Sequence, residues 1–220
     1  MESSKLDAAD EGIVENARIL VVDDQLVNIV LLQAMLKKGG YQHLESIQNP
    51  RQVIERVRLF RPDLILLDLA MPYLDGYSVL AQLRGWMPAE AYLPVLVITA
   101  DVSMAARQKA LYLGARDFLA KPVDSSELRL RVYNLLQTRW LHRRQVEYNR
   151  ELLNQVCVAR TFLDQTLQQI GRMDQEYSST EFAGVRSNVQ QVTDLVDQLV
   201  ATAESNFQRQ TLPHDQGHNP

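Results

Sequence analysis

The chain has a single cysteine, Cys157, among 220 residues, so no internal disulfide can form, as befits a reducing compartment. It has no apolar stretch approaching the ~18–20 residues of a membrane span. It has no surplus of basic residues. With 23 Lys and Arg against 27 Asp and Glu, the net charge is −4, and that balance gives no reason to expect a nucleic-acid partner. The first residues, Met1 to Glu11, are polar and acidic, unlike a signal peptide. A cytoplasmic protein, not inserted in a membrane, is expected. The second half also lacks proline: from Ser125 onward none occurs before Pro213, and no strand signal appears there either.

What is present is a sequence 46% hydrophobic, long enough for one domain of ordinary size plus something smaller. In the first half, apolar runs alternate with amphipathic segments, the pattern of a parallel sheet with crossover helices. The runs predict strands over Arg18–Val22, His43–Ile47, Asp63–Asp68, Leu93–Thr99 and Ala115–Ala120. Helices are predicted near Gln25–Lys38, Pro50–Phe60, Asp75–Arg84 and Val102–Leu113, with a fifth from about Asp124. Gly39-Gly40 and Gly114 stand where helices end. Asp124-Ser125-Ser126-Glu127 reads as a capping box.

The chemistry gathers at strand ends. Leu20-Val21-Val22 runs into the acidic pair Asp23-Asp24, and Leu64-Ile65-Leu66-Leu67 runs into Asp68. Open α/β sheets present their chemistry at the carboxyl ends of strands. Three carboxylates there make a hard-oxygen pocket suited to Mg²⁺. Lys121, before Pro122, supplies a point charge for a phosphate oxygen. Thr99 ends another strand with a hydroxyl, and small Ala100 lets backbone N–H groups approach. Together these groups suit phosphoryl transfer to a carboxylate, where catalysis is mostly positioning and charge stabilisation. Singly, each has a plainer reading as a turn, a strand end or a loop; their recurrence in this order favours the functional one.

The second half changes period. Leu128, Val132, Leu135, Arg139, His142, Val146, Asn149, Leu153, Val156, Arg160, Leu163, Leu167, Ile170, Asp174 and Tyr177 alternate spacings of four and three, a heptad seam. After a second capping box at Ser178-Ser179-Thr180-Glu181, the positions Phe182, Val185, Val189, Val192, Val196, Leu199 and Ala203 continue an apolar seam. Two long helices that want a partner helix are expected. A polar residue on the seam is the reading for His142, and Asn149 could fix register. His214-Asp215 lies in a polar tail and is discounted as a metal pair.

The set Asp23-Asp24, Asp68 with Met71-Pro72 and Gly76, Thr99-Ala100, and Phe118 three residues before Lys121-Pro122 resembles a response-regulator receiver domain. The resemblance implies a flavodoxin-like, five-stranded parallel sheet in order 2-1-3-4-5. It implies Asp68 as phosphoacceptor for a histidine kinase, and Mg²⁺ held by Asp23, Asp24, Asp68 and the Ala70 carbonyl. It also implies Thr99 and Lys121 as further active groups, Thr99 and Phe118 as switch residues, and a cis Lys121–Pro122 bond. Ala70 and Asp101 stand at positions that tune phosphoryl lifetime in the family.

The segment from Asn134 to Thr161 resembles the helical linker of receivers that drive cyclic-di-GMP enzymes, yet the GGDEF, EAL and HD-GYP signatures are absent. The expected organisation is a flexible tail over 1–15, a receiver over 16–137, a helical coiled-coil or hairpin module over 138–207, and a disordered tail over 208–220. The expected output is homodimerisation or binding of a helical partner, not enzymatic catalysis. Two alternatives are an aspartyl-phosphate hydrolase, which needs an acid two residues after the nucleophile where Ala70 stands, and a transcriptional regulator, for which no helix-turn-helix is recognised.

Overall fold

The computed structural model describes residues 12–88, 91–177 and 180–211, apart from the side chains of 173–183 and 203–211. Five strands, β1 (Arg18–Val22), β2 (His43–Ile47), β3 (Leu64–Asp68), β4 (Val95–Thr99) and β5 (Asp117–Ala120), form one sheet in the order β2-β1-β3-β4-β5. Every pairing is parallel. The helices are α1 (Leu26–Lys38), α2 (Val53–Phe60), α3 (Gly76–Trp86), α4 (Met104–Tyr112), α5 (Ser125–Tyr177) and α6 (Thr180–Thr211). The expected α/β architecture and strand order are therefore present.

The central strands β1, β3 and β4 are almost wholly apolar because both faces of the sheet are covered there, whereas edge strand β2 carries His43, Glu45 and Ser46. Successive side chains alternate between two cores. Leu20, Val22, Ile65, Leu67, Val95 and Val97 meet α2, α3 and α4 through Val53, Val57, Phe60, Val79, Leu80, Leu83 and Ala110. Ile19, Val21, Leu64, Leu66, Leu96 and Ile98 meet α1 and the start of α5 through Ile29, Leu32, Leu36, Leu128, Val132 and Leu135. Ile13 joins that second core, and residues 12–16 form a helical turn, so part of the expected flexible tail is folded.

Local signals account for the boundaries. Helix α3 starts on Asp75, whose carboxylate accepts from the Ser78 N–H at 2.8 Å. Ser103 caps α4 through the Ala106 N–H. Asp124 accepts from the N–H groups of Ser126 and Glu127. The return arm of the expected capping box is not made, because Glu127 is drawn to Arg131 at 2.6 Å one turn on. The second helix opens with a short 3-10 turn, Pro50–Gln52, rather than at full α pitch. Gly114, at φ 109°, makes the chain reversal after α4 that a side chain would strain.

Contacts divide the chain into two compact units, Met1–His142 and Arg143–Pro220. In the second, the rest of α5 pairs with α6. Arg160, 17 residues before Tyr177, forms an ion pair with Asp197, 17 residues after Thr180, at 2.8 Å, so the helices run antiparallel as a hairpin. The α5 seam faces inward: Val146, Asn149, Leu153, Val156, Leu163 and Leu167 are half-buried and Ile170 is buried, with exposed Arg160 as the break. The α6 seam differs from expectation. Val189 and Val196 turn inward together with Thr193 and Val200, whereas Val185, Val192 and Leu199 stay exposed. A 4-3-4 spacing through 189, 193, 196 and 200 satisfies the hairpin, and the other half of the sequence seam is left outside it. The side chains of Asp174, Tyr177, Phe182 and Ala203, and the whole of His214-Asp215, lie outside the described residues.

Arg139 and His142 do not serve the seam either. Arg139 donates to the Tyr92 carbonyl and lies 3.8 Å from Asp63. His142 stacks on Tyr92 with ring centroids 5.4 Å apart. Burial, with the Arg139 and Arg116 charges, holds the His142 pKa below its usual value, so the imidazole packs in its neutral form.

Candidate functional site

The sheet register assembles the site. Val22 pairs with Leu67, so Asp23 follows beside Asp68. Asp68 pairs with Ile98, and Thr99 with Ala120. The residues that end β1, β3, β4 and β5 thus fall in one row at the carboxyl edge. β1 and β3 are the neighbours from which the chain departs in opposite directions, the switch point where such sheets bind ligands.

Three carboxylates meet there. One oxygen each from Asp23, Asp24 and Asp68 lie within 4.8 Å of one another. Asp23 and Asp68 are buried and Asp24 is half-buried. Lys121 answers two of them, its Nζ 2.8 Å from Asp68 Oδ1 and 3.0 Å from Asp23 Oδ2. The cis Lys121–Pro122 bond follows β5, and the Lys121 N–H is tied to the Thr99 carbonyl at 2.8 Å. Burial pushes the Asp68 carboxyl above its usual pKa; Lys121 pulls it back, and Asp23 and Asp24 add to the rise. For Lys121, burial alone would lower the value, but the bonds to Asp68 and Asp23 outweigh it and hold the ammonium charged.

A divalent cation fits this donor set. One ammonium faces three carboxylates, and Asp24 Oδ1 is buried with no hydrogen-bond partner. A buried carboxylate oxygen left bare is costly, and a hard cation with oxygen ligands would satisfy it.

Close approach of the backbone frames the nucleophile. A Cβ on Gly76 would meet the Asp68 carbonyl oxygen at 2.4 Å and Leu69 Cα at 2.8 Å, and the Gly76 N–H donates to the Leu69 carbonyl at 3.0 Å. The loop after β3 folds back onto the start of α3 only because no side chain intervenes. Ala70 and Ala100, both exposed, keep small groups beside the row.

Thr99 is buried, and its Oγ1 accepts from the Asp101 N–H at 3.1 Å. Phe118 is half-buried against the first core. The Arg107 guanidinium lies over its ring at 3.5 Å and that of Arg131 at 6.0 Å, the range of cation–π attraction.

Asn28 is the neighbour that sequence reasoning missed. Its Nδ2 donates to both oxygens of Asp23 at 3.0 Å, and the Gln25 N–H adds a third bond to Asp23 at 2.9 Å. An amide one turn into the helix that follows the acidic pair was the available signal. Arg107 was also missed, since its contact depends on how α4 packs on β5.

Among known proteins, the family described as response regulator receiver domain matches residues 19–133. The transcriptional regulatory protein ZraR of Escherichia coli is 39% identical over 114 residues, 52% of this chain and 25% of the relative. The response regulator PleD of Caulobacter vibrioides is 40% identical over 120 residues, 54% and 26% of the two chains. The chain thus spans about a quarter of the length of these two relatives. Among solved structures, a putative response regulator from Chloroflexus aurantiacus superposes with a TM-score of 0.51 at 30% identity, over 55% of this chain and 98% of the other. The signal receiver domain of a signal transduction histidine kinase from Syntrophus aciditrophicus gives 0.50 at 34% identity, over 56% and 91%.

Proposed function

The chain belongs to the response-regulator receiver family, and from that premise we propose that Asp68 accepts a phosphoryl group from a phosphohistidine of a histidine kinase. The observation that carries the reading is the Asp68–Lys121–Asp23 cluster at the switch point of the sheet. An Asp68 carboxylate oxygen attacks phosphorus as the P–N bond breaks, and the electron pair returns to the imidazole. Lys121, already 2.8 Å from Asp68, holds an oxygen of the transferring group. Thr99 at the end of β4 offers its hydroxyl to the bound phosphoryl group. Asn28 and the Gln25 N–H hold Asp23 in place.

Mg²⁺ would be held by Asp23, Asp24, Asp68 and the Ala70 carbonyl. When bound it would neutralise charge on the phosphoryl oxygens and among the acids. Bare Asp24 Oδ1 supports that assignment. For the donor, α1 offers an apolar landing face directly after the acidic pair. Leu26, Val27, Val30 and Leu31 are all exposed there, as suits a helical partner that must bring its histidine to Asp68.

The domain limits we favour are a receiver over 16–137 with the helical turn of residues 12–16 packed against it, and a helical module from 138 to the end of α6 at Thr211. The output runs through the helices, by self-association or by a helical partner. The hairpin of α5 and α6 and the lack of any recognised catalytic signature support that reading over an enzymatic one. No described helix is long and apolar enough to cross a membrane. Labelled acetyl phosphate tests the acceptor: Mg²⁺-dependent incorporation into the wild type and none into Asp68→Asn is the expected result. Equal incorporation into both would refute it.

A further inference from the structure

The two helices of the second unit each carry a second apolar stripe. On α6, Val185, Val192, Leu195 and Leu199 are 48 to 58% exposed, and Asn188 and Thr202 complete their row. On α5, the exposed residues Tyr148, Leu152, Ala159 and Phe162 form a similar row, with Gln145, Gln155 and Gln169 at its remaining exposed positions. Counted at ~100° per residue, each stripe lies about 100° around its helix from the buried face. The sense of rotation is the same for both, viewed from each helix's own N-terminus. In an antiparallel pair, equal rotations bring the two stripes to the same side, so the hairpin presents one apolar face built from both helices.

That face has no charged residue along either row. Between 145 and 169 and between 185 and 202, the aspartates, glutamates and arginines, such as Glu147, Glu151, Asp164, Arg186 and Asp194, stand at other positions. A face without charge repels no copy of itself under a two-fold axis, and its only polar members are hydroxyls and amides that can pair with their like. The α6 row covers 18 positions, Val185 to Thr202, or ~26 Å at 1.5 Å per residue. Two helices of ~10 Å diameter make the face about 500 Å² per protomer. Two such faces approach the ~1,000 Å² that a specific association needs.

We propose that this face is the seat of a homodimer in which two hairpins pack into a four-helix bundle, leaving the Arg160–Asp197 pair and the hairpin core intact. The proposal rests on the reading that output runs through the helices. It differs from the sequence seam in which residues meet the second copy: 185, 192, 195 and 199 do, and 189, 193, 196 and 200 do not.

The test is multi-angle light scattering of the full chain at tens of micromolar. The variants are Val192→Lys/Leu195→Lys and, as a control of equal charge on another exposed side of α6, Ser187→Lys/Ala201→Lys. Far-UV circular dichroism checks that helix content persists, as it should for substitutions at exposed sites. The expected result is a dimeric wild type and control, and a monomeric stripe variant with unchanged helicity. If the stripe variant loses helicity, Leu152→Glu on the α5 row serves instead, with the same expectation. A stripe variant as dimeric as the control would overturn this face while leaving helical self-association standing. A monomeric wild type would overturn the dimer altogether, and labelling at Asp68 in that sample would show the phosphoacceptor reading to be unaffected.

Discussion

Replacing Gly76 by alanine should do opposite things from replacing Gly85, although both lie on α3. At Gly76 the new methyl would stand 2.4 Å from the Asp68 carbonyl oxygen and 2.8 Å from Leu69 Cα. Both are backbone atoms and cannot rotate away, so β3 and α3 must part. Overpacking of this kind costs about 1–3 kcal/mol. The gain in helix propensity from glycine to alanine, at most about 1 kcal/mol, leaves a net loss of about 0–2 kcal/mol. At Gly85 nothing lies within 4 Å of the added carbon, so the propensity gain of about 0.5–1 kcal/mol stands alone. Both tryptophans, Trp86 and Trp140, lie in the first unit, so urea unfolding followed by tryptophan fluorescence reads that unit. Gly76→Ala should lower the midpoint, and Gly85→Ala should raise it, at unchanged slope. Because the clash falls on the Asp68 carbonyl, Gly76→Ala should also slow phosphoryl uptake, and Gly85→Ala should not. Equal midpoints for the two variants would refute the close-approach argument.

Two further outcomes follow from the same geometry. Asp24→Ala should weaken Mg²⁺ binding by about tenfold or more, the scale seen when a metal site loses a supporting group, read by calorimetric titration; unchanged affinity would make the acidic pair a turn rather than a ligand set. Hydrogen bonds from Ser78 hold the Asp75 carboxyl below its usual pKa, so its capping contribution is present above the unfolded value near pH ~4 and is lost as pH falls through the lower folded value. Asp75→Ala should therefore cost about 1 kcal/mol near neutral pH, less for so exposed a cap, with the difference vanishing in acid; a loss equal at both pH values would show that the carboxylate's charge is not what matters.

The parts of this site that could be read from the sequence are those that end apolar runs. Asp23, Asp68, Thr99 and Lys121 follow strands whose apolar runs place them at the carboxyl edge, and a parallel sheet brings such ends into one row. Asn28 was legible only as an amide near the acidic pair, because its bond to Asp23 depends on the phase at which α1 leaves the loop. Arg107 was not legible because its place over Phe118 is set by how α4 packs on β5. Heptad counting named the right helices and, on α5, the right face from Val146 to Ile170. It failed at Arg139 and His142, which Tyr92 captures for the first unit. It split on α6, where valines at two heptad phases satisfy either of two faces and only the partner helix decides between them. The strands also proved shorter than the apolar runs. Leu93 and Pro94 are buried ahead of β4; the Pro94 carbonyl still accepts from the Ile65 N–H at 3.1 Å, but proline has no N–H with which to carry the ladder further.

Borohydride trapping tests the central claim most directly. An aspartyl phosphate is an acyl phosphate, which borohydride reduces to homoserine at the modified position. After incubation with a phosphodonor and Mg²⁺, peptide mass spectrometry should find homoserine at position 68 and at no other aspartate, with none formed when Mg²⁺ is withheld. Homoserine at Asp23 or Asp24 instead of Asp68, or none at all from a protein that retains its fold, would contradict the account.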